Sequence, residues 1–214
     1  MDELIERLVA HDGGRLLVRD HTGVSPAIVA LHGFPDDSRI YNKVIGPLAP
    51  HRVVTFDWMG YGRSTRRDRK HFGAADRQRE LLDVLDGLEL EQVVLVGHDS
   101  GGPEAIDFTV ANSQRVAGLA LLNTYYGRSN HFRLPEMIAL MADPALAPLT
   151  DALVDDPAQR LWLLNYTGRR FGLDQSLPAD GIAAVSPNRQ NRHQKSTRTG
   201  YSPPGTTPRK IEVN

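Results

Sequence analysis

The sequence predicts an α/β fold, a mostly parallel sheet with flanking helices. Two observations carry this. Four short apolar runs recur along the chain: AIVAL (27–31), VVTF (53–56), VVLV (93–96) and VAGLALL (116–122). Each is continuous rather than alternating, the pattern of strands buried on both faces of a parallel sheet. Helical periodicities fill the gaps between them, and strand–helix alternation of this kind implies right-handed crossovers.

The elements follow in order. LIERLVAHDGGRLLVRD reads as two leading strands joined at Asp12–Gly13–Gly14, a hairpin signal. SRIYNKVIGPLA sets Ile40, Val44, Ile45 and Leu48 on one helical stripe, with Asp37 or Ser38 available as N-cap. AADRQRELLDVLDGL does the same with Leu81, Leu82, Leu85 and Leu88, and GGPEAIDFTVANS follows the third run. After Asn123 the pattern becomes mostly helical and is divided by prolines, which reads as a lid rather than a continuing sheet.

From Val185 the composition turns polar. Between Val185 and Ile211 the only large apolar side chain is Tyr201, so the segment cannot offset its ordering entropy and is expected to be disordered. The expected organisation is therefore a core over 1–127, a helical lid over 128–184 and a polar tail over 185–214.

Composition narrows the function. The chain has 214 residues, a net charge of −1 and no cysteine. That charge makes no case for nucleic acid, and the missing cysteines exclude disulfides, thiolate metal sites and a cysteine nucleophile. The N-terminus is charged from Asp2 onward, and no stretch approaches a membrane span, so a cytoplasmic protein without signal peptide is expected. No metal or organic cofactor is expected, because no His/carboxylate cluster has ligand spacing and no dinucleotide fingerprint follows a strand. Oligomeric state is left open.

The chemistry concentrates in GHDSGG, residues 97–102, behind the third run. Strand, glycine-rich turn and helix make a nucleophile elbow, with Asp99 where such turns commonly carry serine. His32-Gly33-Phe34-Pro35 follows the first run, where the facing half of an oxyanion hole belongs. There the backbone N–H groups of Phe34 and Ser100 are expected to converge on one oxygen beside Asp99. His32, Gly33, Pro35 and His98 flank the nucleophile and are expected to border the substrate. FDWMGYGRS (56–64) ends the next strand, and its Asp57 is read as shaping a turn.

HGFPDD, FDWMGYGRS and GHDSGG, in this order and spacing, resemble the α/β-hydrolase family over roughly residues 5–184. The Asp-centred elbow with HGFP is similar to the branch of epoxide hydrolases and haloalkane dehalogenases. A carboxylate nucleophile suits saturated carbon: it displaces halide or opens a strained epoxide and leaves an alkyl ester on the enzyme. Water then attacks the ester carbonyl, with a histidine as base. The resemblance implies a small-molecule substrate of epoxide or haloalkane type. Dehalogenases typically place Trp after the nucleophile, where this chain has Ser100, and often Asn where it has Phe34. The epoxide reading is therefore preferred, with Tyr166 in the lid as the tentative proton donor to the opening epoxide.

The family order is nucleophile, acid, histidine. An alternative acid position, just after the strand that follows the elbow, is Asn123 here. No apolar run follows the lid, and His193, the one histidine beyond it, falls in the polar tail. The chain is thus expected to be C-terminally truncated relative to the family, with turnover impaired at the second step. A non-catalytic hydrolase-fold binding protein is the alternative. A serine esterase built on Ser100 is disfavoured because the glycines frame Asp99, and a phosphate loop is disfavoured because GHDSGG lacks Lys.

Overall fold

The computed structural model describes residues 3–65, 73–127 and 136–170. The remainder of the expected lid, the polar tail 185–214 with His193, and His71 and His131 lie outside the described residues. Strand β1 (Leu4–His11) and strand β2 (Gly14–His21) form the leading hairpin. Asp12 and Gly13 both take positive φ at its tip (38° and 74°), the backbone that a two-residue turn between twisted strands requires.

The four apolar runs become β3 (Val24–Leu31), β4 (His51–Phe56), β5 (Val93–His98) and β6 (Val116–Leu122). The sheet order is β1-β2-β4-β3-β5-β6, with β3, β4, β5 and β6 mutually parallel and β2 antiparallel to both β1 and β4. The predicted α/β class is the observed one.

Connections set the helix layers. Two 3-10 turns, Ser38–Tyr41 and Gly46–Leu48, flank the short helix α1 (Asn42–Ile45) between β3 and β4. Helix α2 (Ala74–Gly87) joins β4 to β5, and α3 (Gly101–Ala111) joins β5 to β6. The chain moves one way from β3 to β4 and the other way from β4 to β5. Right-handed crossovers then place α1 on the face opposite α2 and α3. The same reversal opens a crevice at the carboxyl ends of the neighbouring strands β3 and β5, where open α/β sheets bind ligands.

Leu16, Val18, Val29, Leu31, Val54 and Phe56 pack with Leu81, Val84 and Leu85 of α2 and Phe108 of α3 to form one core. Each such side chain, fully buried, contributes about 1.5–3 kcal/mol. The hydrophobic stripe of α2 includes Val84, with Leu82 only partly buried.

Two expectations fail in this layer. Ile40 and Val44 are exposed; of the expected stripe Ile45 is buried, and Tyr41, which is not on it, joins it inside. The passage from 3-10 to α to 3-10 changes the residues per turn, so one 3.6-residue stripe cannot run through it. Strand β6 is not buried on both faces: Leu119, Leu121 and Leu122 are 38%, 44% and 47% exposed. It is the outer strand of the described sheet, with β5 as its one pairing partner there.

Beyond β6, three helices follow: α4 (Glu136–Ala142), α5 (Ala147–Asp155) and α6 (Pro157–Arg170). They carry the helical character expected of a lid, and no helix among the described residues is long and apolar enough to cross a membrane.

Candidate active site

The crevice is built by two turns that leave adjacent parallel strands. β3 delivers His32, Gly33 and Phe34, and β5 delivers His98 and Asp99, one strand over. Asp99 sits at φ 49°, a left-handed backbone that costs a non-glycine residue energy and is held only by its surroundings. Its N–H donates to Leu122 O at the end of β6 (3.4 Å), and its carbonyl accepts from Gly102 N (3.1 Å) and from Thr124 Oγ1. β6 and the first turn of α3 thereby clamp the elbow from two sides. Gly101 lets α3 start this close: a Cβ there would stand 2.5 Å from Leu31 O.

The Asp99 carboxylate meets the facing loop directly. Phe34 N–H donates to Asp99 Oδ2 at 2.9 Å. Gly33 lies against the same side chain, so close that a Cβ would overlap the carboxylate. Ser100 follows as N-cap of α3, with a hydroxyl that makes no capping hydrogen bond. Pro35 is partly buried beyond Phe34.

His32 holds this loop in place. It is 1% exposed, its Nδ1 pairs with Gly33 O (2.9 Å), and its Nε2 accepts from Trp58 N–H (3.2 Å). Trp58 Nε1 donates back to His32 O at 3.0 Å. Because Nε2 accepts an N–H, the imidazole is neutral, with its proton on Nδ1. Burial keeps it so, pushing the His32 pKa down to about 4. Both nitrogens are engaged within the fold, so the contribution of His32 to the crevice is positional. Tyr41 adds a further tie, donating its hydroxyl to Leu31 O at 2.8 Å.

Asp57 proves to be a structural hub. Its Oδ1 accepts from Ser38 N and Ser38 Oγ and stands 3.6 Å from Arg19 Nη1, while Oδ2 accepts from Arg63 N at 2.8 Å. It is 1% exposed. This agrees with the turn-shaping role read from the sequence.

Two participants carried no sequence signal beyond their neighbours. Thr124, just past β6, braces the elbow carbonyl. Asp36, in the HGFPDD loop, has its carboxyl raised to about 6, chiefly by burial and further by the charges of Asp99 and Asp37, against the opposing influence of His98. The doubled aspartate of HGFPDD was the one available hint. His98 is partly buried, and its Nδ1 has no hydrogen-bond partner.

Tyr166 on α6 is 49% exposed and stacks on Trp162, with centroids 5.4 Å apart and planes at 14°. Tyr126 turns toward α3, donating to Asp107 Oδ1 at 2.7 Å. Asn123, at the alternative acid position, ends β6 at φ 43°.

A mostly parallel sheet in which one strand ends in a strained turn against a backbone donor from the neighbouring strand is the architecture of the α/β-hydrolase fold. The family model described as alpha/beta hydrolase fold matches residues 26–166, and the chain belongs to that family. Among curated proteins, it is 34% identical over 113 residues to Epoxide hydrolase B of Mycobacterium tuberculosis, spanning 51% of this chain and 32% of that protein. It is 28% identical over 123 residues to Haloalkane dehalogenase 2 of Mycobacterium bovis, spanning 57% of this chain and 43% of that protein. The matched part thus spans less than half the length of either relative. Among solved structures, an epoxide hydrolase from an endophytic Streptomyces superposes with a TM-score of 0.63 at 24% identity, covering 76% of this chain and 52% of that one. At that identity the superposition speaks for the fold.

Proposed function

We propose that Asp99 is the nucleophile of an epoxide-opening site, in a core formed by 1–127 and covered by a lid over 128–184. The observation that carries this reading is the 2.9 Å bond from Phe34 N–H to Asp99 Oδ2 at a left-handed elbow. A backbone donor already on the carboxylate favours its ionised form, as does the helix N-terminus behind it. An Asp99 oxygen attacks one epoxide carbon and the C–O bond opens. The departing oxygen takes a proton, for which Tyr166 is the lid candidate. The product is an ester between Asp99 and a hydroxyalkyl group.

Water then attacks the ester carbonyl carbon, with the N–H groups of Phe34 and Ser100 stabilising the oxyanion. Collapse returns the carboxylate and a diol. His32 is closed to the role of base by its two hydrogen bonds, and Asn123 cannot supply an anionic partner. On this reading the second step is the slow one, and the ester accumulates. Epoxide is preferred to haloalkane because Ser100 offers a smaller, less directed donor to a departing halide than an indole does.

Intact-mass measurement after incubation with an aryl epoxide tests this. The expected result is a gain of one whole epoxide, mapped to Asp99 and absent from Asp99→Asn. Adduct-free protein showing no diol formation, or equal labelling of Asp99→Asn, overturns the reading. The locked His32 also supports a second reading, a hydrolase-fold protein that binds without reacting. Reversible binding unchanged in Asp99→Ala selects that one.

A further inference from the structure

Away from the elbow, α2 and α3 meet through a polar contact that lacks one hydrogen. Gln78, in the second turn of α2, donates from Nε2 to the backbone carbonyl of Glu104, in the first turn of α3, at 3.1 Å. That bond sets the orientation of the amide, because turning it over would place Oε1 against a carbonyl oxygen. Gln78 Oε1 is then buried without a donor, and so is Glu104 Oε2. The Gln78 side chain lies within hydrogen-bond reach of the Glu104 carboxyl. Two buried acceptors on facing helices are costly if both stay unpaired. One proton on the carboxyl satisfies both.

We infer that Glu104 is an un-ionised carboxylic acid in the folded chain and donates its O–H to Gln78 Oε1, closing α2 against α3. The charged groups around it agree. Arg77 and Glu80 face it from α2, and Asp107 from its own helix. Arg77, the cation of this set, is itself held by Glu80 at 2.8 and 3.0 Å. Asp107 accepts from Tyr126. An ionised Glu104 would add a third carboxylate to one guanidinium. Burial is the largest influence and pushes the Glu104 carboxyl up to about 7; Asp107 and Glu80 act in the same direction, while Arg77 and, least of all, the Gln78 side chain act against them.

The consequence is a pH-sensitive brace. The folded value lies above the ordinary 4.5, so the protonated group favours the fold. Its contribution is complete below that ordinary value and is lost as pH rises through about 7. The first turn of α3 also holds the elbow, through Gly102 N on Asp99 O, so loosening the α2–α3 contact reaches Asp99.

A carboxyl ¹³C titration of the 214-residue chain, with Glu104 assigned through its backbone, reads the protonation directly. The expected midpoint lies near 7, against an ordinary glutamate value for exposed Glu91. A Glu104 midpoint below 5 overturns the inference. Glu104→Gln supplies a permanent amide donor for Gln78 Oε1, so it should melt with wild type at pH 5 and above it at pH 8. An equal melting difference at the two pH values also overturns it. Neither readout depends on Asp99 being a nucleophile.

Discussion

Gly33 lies so close to Asp99 that a single added carbon would occupy the space of the aspartate carboxylate. The contact joins the turns that leave two adjacent parallel strands, β3 and β5. It explains why a residue without a side chain precedes the donor Phe34. The chemistry proposed for the crevice depends on that closeness.

Gly33→Ala should therefore displace Asp99 from the Phe34 N–H. Misplacing a reacting group by about 1 Å costs on the order of 100-fold in rate, and overpacking costs about 1–3 kcal/mol of stability. Adduct formation with an aryl epoxide, followed by mass, should slow by about that factor. Gly46→Ala is the control, since a Cβ there meets nothing within 4 Å. Equal labelling rates in the two variants would remove Gly33 from the argument.

Asp57 is expected to govern stability. Asp57→Ala strips acceptors from Ser38 and Arg63 and leaves Arg19, itself 9% exposed at the side chain, without its buried counter-charge. Removing one partner of a buried pair costs about 3–5 kcal/mol. Urea unfolding of the variant should show a loss of that size, and a midpoint matching wild type would contradict the hub.

The pH dependence of folding should carry the mark of Asp36. Its carboxyl is raised from 3.8 to about 6 in the folded chain, so the fold favours the protonated form. That contribution is full below the ordinary value and fades as pH climbs through about 6. Asp36→Asn, which carries no charge, should gain on wild type by on the order of 2 kcal/mol between pH 4 and pH 7. Denaturant melts at several pH values measure the difference, and a flat difference refutes the assignment.

β6 should drive self-association. Its exposed leucines and single pairing partner among the described strands present an apolar edge to solvent. Leu121→Lys should lower light scattering of concentrated protein while changing stability by no more than about 0.5 kcal/mol. Unchanged scattering would show that this edge is not the sticky surface.

By itself the sequence determined the strands, the hairpin tip and the two motifs that meet in the crevice. Strands shielded on both faces need unbroken apolar runs, and a strained turn before a helix needs small residues around it, so both leave local marks. Only the tertiary structure decided which residues of 38–48 face inward, because three short helical segments of differing pitch break the period. It alone showed which leucines of β6 stand exposed, since a run records composition and says nothing of which side chains a neighbour covers. The locking of His32 by Trp58, the raised carboxyl of Asp36 and the Gln78–Glu104 contact likewise join residues 26, 63 and 26 positions apart. Hydrogen bonding and desolvation depend on distance in space, which pattern along the chain does not encode.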